Sequence, residues 1–369
     1  MNVPLLDLVR QYEAIGAELE AAAVAVLRSG RYIGGPEVDA FEAEAAAYVG
    51  AREGIGCSSG TDALLAALMA LDVGPGDEVV VPSYTFFATA GSVARLGARP
   101  VFADVDPVTW NATPATVAPL LGPRTKAVVP VHLFGRAADV PALEALCGPR
   151  GIPVIEDAAQ AIGGRLGERR VGAMGRVSCF SFFPSKNLGA CGDGGLITTD
   201  DADLAGRLRR LRNHGQAEAY LHTEVGGNFR LDAMQAALLR VKLRHLEAWT
   251  EARRALADGW RGLFEAAGLA DRVRCPADDP DRHVYHQFVV RVPAEDREAC
   301  VRALGEAGVG CAVYYRVPLH RQPCFGGDAQ PALPVSEELS REALALPIFP
   351  ELRRDEQEYA VDVLARVLA

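Results

Sequence analysis

Three of the 38 basic residues are lysines, Lys126, Lys186 and Lys242, and arginine fills every other basic position. Arginine does not condense with a carbonyl. A lysine amine in a partly desolvated setting has a lowered pKa and becomes both a nucleophile and a proton carrier. Lys186 lies in Ser178-Cys-Phe-Ser-Phe-Phe-Pro-Ser-Lys-Asn-Leu-Gly-Ala-Cys-Gly-Asp-Gly-Gly195, beside Phe180, Phe182 and Phe183 and ahead of a glycine-rich return. A solvated surface lysine fits that setting poorly, so Lys186 is the leading candidate for Schiff-base chemistry.

Two further stretches suit a phosphorylated heterocycle. In Pro153-Val-Ile-Glu-Asp-Ala-Ala-Gln160 an apolar strand ends in two acids, which places Asp157 at the carboxyl end of a sheet strand, where open α/β folds bind ligands. A carboxylate there can keep a pyridine nitrogen protonated and make the ring an electron sink; the plainer alternative is that Glu156 or Asp157 caps a following helix. Ser58-Ser59-Gly60-Thr61-Asp62 joins a short strand, Gly54 to Cys57, to an Ala/Leu-rich helix from Ala63 to Leu71. Unpaired N–H groups and the helix dipole converge at such a start and hold a phosphate, although Ser59 or Thr61 as a simple helix cap explains the same residues.

The elements that must position these residues follow from periodicity. A helix is expected from Val9 to Arg28, stopped by Gly30, and another opening at Pro36. β-rich runs at 77–82, 126–131 and 152–156 then alternate with helical stretches near 61–71, 85–96 and 139–147, with turns at 72–77 and 104–107. Strands at 176–183 and 195–199 follow, and a helix capped by Asp200 or Asp201 runs to Arg212. The alternation predicts a mostly parallel sheet with helices on both faces. One long helical pattern spans Leu231 to Leu263, beyond which strands at 284–292 and 309–315 and helices at 295–306 and 354–368 are expected. The fold class is thus α/β, with a large domain over 1–245 and a smaller α+β domain over 246–369.

Composition narrows the partners. With 369 residues, 49% hydrophobic and 23% charged, the chain has material for a large core. A net charge of -10 and the lack of any Lys/Arg cluster disfavour nucleic acid. Eight cysteines form no C-x-x-C pair, which suits free thiols in a reducing compartment. Neither a signal peptide nor an eighteen-residue apolar run is present, so a cytoplasmic protein without membrane contact is expected. The glycines at 189–195 do not match G-x-G-x-x-G, which disfavours a nicotinamide dehydrogenase. His283 and His286, three apart on an expected strand, face opposite ways, and no metal site is assigned.

These stretches, with Pro82-Ser-Tyr-Thr-Phe-Phe-Ala-Thr89, resemble the DegT-like sugar-nucleotide aminotransferases of the fold-type-I pyridoxal-phosphate enzymes. The likeness extends from Val3-Pro-Leu-Leu-Asp-Leu8 and Gly30-Arg-Tyr-Ile-Gly-Gly-Pro-Glu37 to Tyr315-Arg-Val-Pro-Leu-His320 and Leu346-Pro-Ile-Phe349. The resemblance implies pyridoxal 5'-phosphate on Lys186, Asp157 on the ring nitrogen and Gln160 on the ring hydroxyl. It implies Phe86 and Ala159 on the two ring faces, and Gly60, Thr61 and Ser181 on the phosphate. In Gly226-Gly-Asn-Phe-Arg230 it implies that Asn228 completes the phosphate site of a neighbouring subunit, so that a homodimer is required. Arg230, Tyr315 and His320 are the implied substrate residues.

The implied reaction moves an amino group from an amino acid, L-glutamate, to a nucleotide-linked keto sugar, giving an amino sugar of the kind used in polysaccharide biosynthesis. Arg212 to Gln216 and Tyr315 to His320 look like the branch that aminates C3. The chain departs from the Tyr-Pro-x-Pro found in many relatives, having Tyr315-Arg-Val-Pro318, and Lys186 sets it apart from the dehydratases that carry histidine there. The rivals are a cyclitol-ketone aminotransferase and a non-catalytic pyridoxal-phosphate-binding regulator.

Overall fold

The computed structural model describes residues 1–279 and 283–368. Its centre is a sheet whose hydrogen-bonded strands run, in spatial order, Glu53–Cys57, Gly195–Thr199, Val177–Ser181 and Ile155–Asp157, then Thr125–Val128, Glu78–Pro82 and Arg99–Ala103. Parallel bridges Val128↔Val154 and Val131↔Asp157 join the two halves. Gly195–Thr199 runs antiparallel to both neighbours, and the other pairings are parallel. The expected mostly parallel sheet is therefore present, with one reversed strand.

Both faces are buried, in keeping with near-continuous apolar runs such as Val79-Val-Val81, whose successive side chains enter opposite faces. Val80, Val128, Phe180 and Leu196 pack with Phe41 and Val49 of the helix Pro36–Val49, Leu143 of Val140–Cys147 and Leu239 of Ala233–Leu243. On the other face Val79, Val81, Ile155 and Ile197 pack with Leu64 and Leu68 of Gly60–Ala70, Val93 of Ala88–Arg95 and Leu208 of Ala202–Leu211. Capping follows the residue types. Asp7 accepts from the amides of Val9 and Arg10 to open Leu8–Ser29, which ends on Gly30 at φ 66°. Asp201 accepts from Leu204 to open Ala202–Leu211.

Several local expectations are corrected. The sequence reading contains no strand at Arg99–Ala103, where Arg99 and Pro100 mask a five-residue run paired in parallel with Glu78–Pro82. The long helix is two, Ala233–Leu243 and Leu246–Ala266, divided where His245 bonds back to Lys242. The strand expected at 284–292 shrinks to Phe288–Arg291, because Val284 instead donates to Gly135 and Tyr285 takes a positive φ of 44°. The strand expected at 309–315 does not form a ladder, and Phe288–Arg291 pairs with Ala343–Leu346 instead. Gly308 and Gly310 draw that segment onto the N-terminus, where Val3 donates to Gly308 and Gly310 donates to Val3. A Cβ on Gly310 would lie 2.4 Å from the Leu5 amide nitrogen, so only glycine permits the approach.

A separate apolar cluster gathers Trp260, Phe264, Phe288, Leu304, Leu344, Phe349 and Leu364, and Val3 joins it from the other end of the chain. The helix Leu246–Ala266 begins with Leu246 in the sheet's core and ends in this second cluster.

Candidate active site

Strand alternation turns Glu156 and Asp157 to opposite faces of the sheet. Asp157, 4% exposed, accepts from Thr89 Oγ1 at 2.8 Å and from the Ala159 amide at 3.2 Å. Burial raises its pKa, and Thr89, Ala159 and the Lys186 charge oppose that rise. Neither acid caps a helix: turns, not helix, follow Asp157. Glu156 accepts from His132 Nε2, the amides of Gly172, Met174 and Gly175, and Ser178 Oγ. His132 Nδ1 accepts from Ala138, which leaves the proton on Nε2.

Lys186 sits in a tight turn in which its amide donates to Phe183 and Ala190 donates to Phe182. Gly189 allows the turn to close, since a Cβ there would meet the Pro184 carbonyl at 2.3 Å. Lys242, buried at 3%, braces it from below by donating Nζ to the Gly189 carbonyl at 2.8 Å. On the far side Asn187 donates to the Val284 carbonyl at 2.9 Å and meets His286 Nδ1 at 3.2 Å. The Lys186 side chain has no hydrogen-bond or ion-pair partner among the described residues. Its pKa is lowered to about 8 by desolvation, against the attraction of Asp157. An amine of that kind is free to react.

The turn before Gly60–Ala70 lies against the Lys186 strand. A Cβ on Gly60 would come within 2.6 Å of Ser181 Cβ, and one on Gly195 within 2.4 Å of the Ser59 carbonyl. The glycines thus bring the helix start, Ser181 and the reversed strand together. Ser59 caps by accepting from Asp62 at 3.0 Å, while the amides of Gly60 and Thr61 have no acceptor among the described residues. Two free N–H groups beside the Ser181 hydroxyl could hold a phosphate.

Gln160 Oε1 accepts from the Phe134 amide at 2.6 Å, and its Nε2 donates to the Tyr315 hydroxyl at 3.3 Å. Tyr315 stacks on Phe134 at 6.2 Å and 24°. Phe86 is 58% exposed at the mouth, and Ala159 is half-buried near Asp157. Asn228 is exposed, and Arg230 donates to Asn213 Oδ1 at 2.7 Å with its Nε buried and unpartnered. His320 is fully buried: Nδ1 meets Ser83 Oγ at 2.5 Å and Nε2 meets Glu337 at 3.1 Å. Sequence reasoning missed Thr89, Lys242 and the pair Asn187–His286. Thr89 closes the Pro82–Thr89 stretch already singled out, but nothing in a linear pattern shows that its hydroxyl meets Asp157.

The DegT/DnrJ/EryC1/StrS aminotransferase family model matches residues 13–365. A "pleiotropic regulatory protein" of Geobacillus stearothermophilus is 48% identical over 99% of this chain and 98% of its own. A UDP-N-acetyl-3-dehydro-alpha-D-glucosamine 3-aminotransferase of Acidithiobacillus ferrooxidans is 44% identical over 99% and 98%. The solved structure of Streptomyces venezuelae DesV in complex with a ketimine intermediate superposes with a TM-score of 0.94 at 44% identity, covering 99% and 98%.

Proposed function

From the premise that this chain belongs to the DegT/DnrJ/EryC1/StrS aminotransferase family, we propose that it transfers an amino group from L-glutamate to C3 of a nucleotide-linked 3-keto sugar, using pyridoxal 5'-phosphate on Lys186. The observation that carries the reading is a lysine amine without a partner among the described residues, its pKa lowered to about 8, placed in the field of a buried carboxylate. The residues fit the cofactor: the free amides of Gly60 and Thr61 and the Ser181 hydroxyl accommodate its phosphate, and Asp157 its ring nitrogen. Names of relatives such as the 3-aminotransferase above support the sugar and the ring position.

When bound, the cofactor supplies an electron sink for the pair left by the donor's Cα–H bond. Lys186 Nζ would hold the cofactor by condensing with its carbonyl, water leaving, and as a free amine would carry the proton taken from the donor Cα. Asp157 would accept from the ring N–H and keep it charged, with Thr89 holding the carboxylate in position. Gln160, fixed by the Phe134 amide, presents Nε2 to the ring hydroxyl. Phe86 covers one ring face, and the small Ala159 leaves room at the other. Tyr315 and Arg230 would meet the sugar nucleotide, whereas both ring nitrogens of His320 are already engaged, by Ser83 and Glu337.

Asn228 is exposed and has no side-chain partner in its own chain among the described residues, in keeping with service to the phosphate of a second subunit in a homodimer. We place the division between the domains at 245/246 on the strength of the two apolar clusters, and the protein in the cytoplasm on the strength of its free cysteines. No helix among the described residues is long and apolar enough to cross a membrane.

The test mixes cofactor-loaded protein with L-glutamate and then with dTDP-, UDP- and GDP-linked 3-keto sugars, following the visible absorption of the cofactor and the amino sugar formed. Turnover that vanishes in Lys186→Ala supports the reading, and near-parent turnover in that variant overturns it. The regulatory name of the 48%-identical relative favours a second reading, a pyridoxal-phosphate-binding regulator. Absorption that no amino donor changes would select it.

A further inference from the structure

A cleft beside the lysine turn is lined by Ser185, Arg253, His286 and Gln287, with Leu5 and Leu346 on its apolar wall. Ser185 immediately precedes Lys186. The His286 ring is held well below the usual histidine range, first by burial and then by the charges of Lys186 and Arg253. Through Ser185 and His286, which meets Asn187, the cleft borders the turn that carries Lys186.

Its polar groups are incompletely satisfied. Arg253 is 3% exposed and donates Nη1 to the carbonyls of Tyr285 at 3.1 Å and Ile348 at 2.7 Å. Its Nε is buried with no hydrogen-bond partner, and no carboxylate pairs with it among the described residues. Burial lowers its pKa to about 10, against a longer-range contribution from Glu351. Gln287 Oε1 is likewise buried without a partner. A buried cation without a counter-charge is costly, and an entering anion offsets that cost. The cleft thus calls for an acceptor at Arg253 and a donor at Gln287. An α-amino acid carries both, a carboxylate one carbon from an amine.

We propose that this cleft takes the carboxylate of the amino-acid donor, with Arg253 as its counter-charge and Gln287 as an acceptor for the incoming amine. The inference rests on the aminotransferase reading above and adds a residue set for the donor, distinct from the groups that hold the cofactor. A free small carboxylate has the same chemistry, and the test separates the two.

The donor half-reaction is followed in the cofactor-loaded protein by visible absorption, with L-glutamate and no sugar. Acetate is expected to compete with glutamate, and calorimetric titration of acetate into the cofactor-free protein is expected to show binding without turnover. Arg253→Gln should raise the half-saturating glutamate concentration about tenfold or more, the loss expected for a hydrogen bond to a charged group, and should abolish acetate binding. Because Arg253 also ties two backbone carbonyls, Gln287→Leu is the second variant, expected to weaken glutamate severalfold; acetate competition in the parent protein needs no variant. Acetate that binds without competing assigns the cleft to a free anion and overturns the proposal. So do an unchanged glutamate dependence in both variants and a lack of acetate binding. A parent protein that takes up the cofactor but converts it with no amino acid instead removes the aminotransferase premise.

Discussion

On one face of the strand end, Glu156 accepts from five donors at 2.7 to 3.1 Å, and on the other, one residue later, Asp157 accepts from two. Both carboxylates are buried. Burial pushes the Glu156 carboxyl up, but His132, Gly175 and Ser178 outweigh it and hold it down at about 2. Asp157, with fewer donors, stays raised by burial. A carboxylate whose lone pairs are filled by the fold is structural, and one left short of donors is available to a ligand. No cation is ion-paired with Asp157 among the described residues, and a protonated ring nitrogen would supply one.

Four substitutions or titrations break or sharpen that contrast. Asp157→Asn is expected to leave the fold intact and slow the donor half-reaction by orders of magnitude, because an amide does not keep the ring nitrogen charged; unchanged single-turnover kinetics would erase the distinction between the two acids. Glu156→Gln is expected to do the reverse, costing roughly 3 kcal/mol in denaturant unfolding as buried donors lose their charged acceptor, while whatever folds retains its chemistry. A Glu156→Gln protein as stable as its parent would show that the five donors do not need the charge.

Thr89→Val, which removes one of the two donors to Asp157, is expected to slow the same half-reaction about tenfold with little change in stability. Equal rates would mean that Ala159 alone positions the carboxylate. The smallest effect is electrostatic. Lys186 has a folded-state pKa of about 8 against an ordinary 10.5, so between those values the unfolded chain binds more protons, and the lysine makes cofactor-free stability rise with pH. The difference in unfolding free energy between the parent and Lys186→Met should therefore climb from pH 8 to 10.5 and be flat below that. A flat difference throughout would place the amine in water.

Much of the fold was legible. Asp201 caps and Gly30 stops a helix as expected, and the runs at 77–82, 176–183 and 195–199 announce strands by type alone. The failures share a cause. Residues 309–315 have the composition of a strand but are pulled onto Val3, and Val284 to His286 leave a strand-like run to hold Asn187 and Gly135. Such contacts, hundreds of residues apart for Val3 and Gly308, leave no local trace. His320 was the least readable of the site residues: its type suits a substrate contact, and only the fold shows Ser83 and Glu337 occupying both nitrogens.

Residue types and local spacing by themselves determined that Lys186 is the candidate amine, that Asp157 ends a buried strand, and that a helix start at Gly60 stands ready for an anion, because condensation, ionisation and capping are properties of a residue and its near neighbours. Only the tertiary structure decided which of two adjacent acids is left short of donors and that Thr89 supports it. The same holds for Arg253, which lies buried beside the lysine turn with no paired counter-charge among the described residues. Desolvation and hydrogen-bond satisfaction depend on everything that packs around a group, and most of that comes from distant parts of the chain.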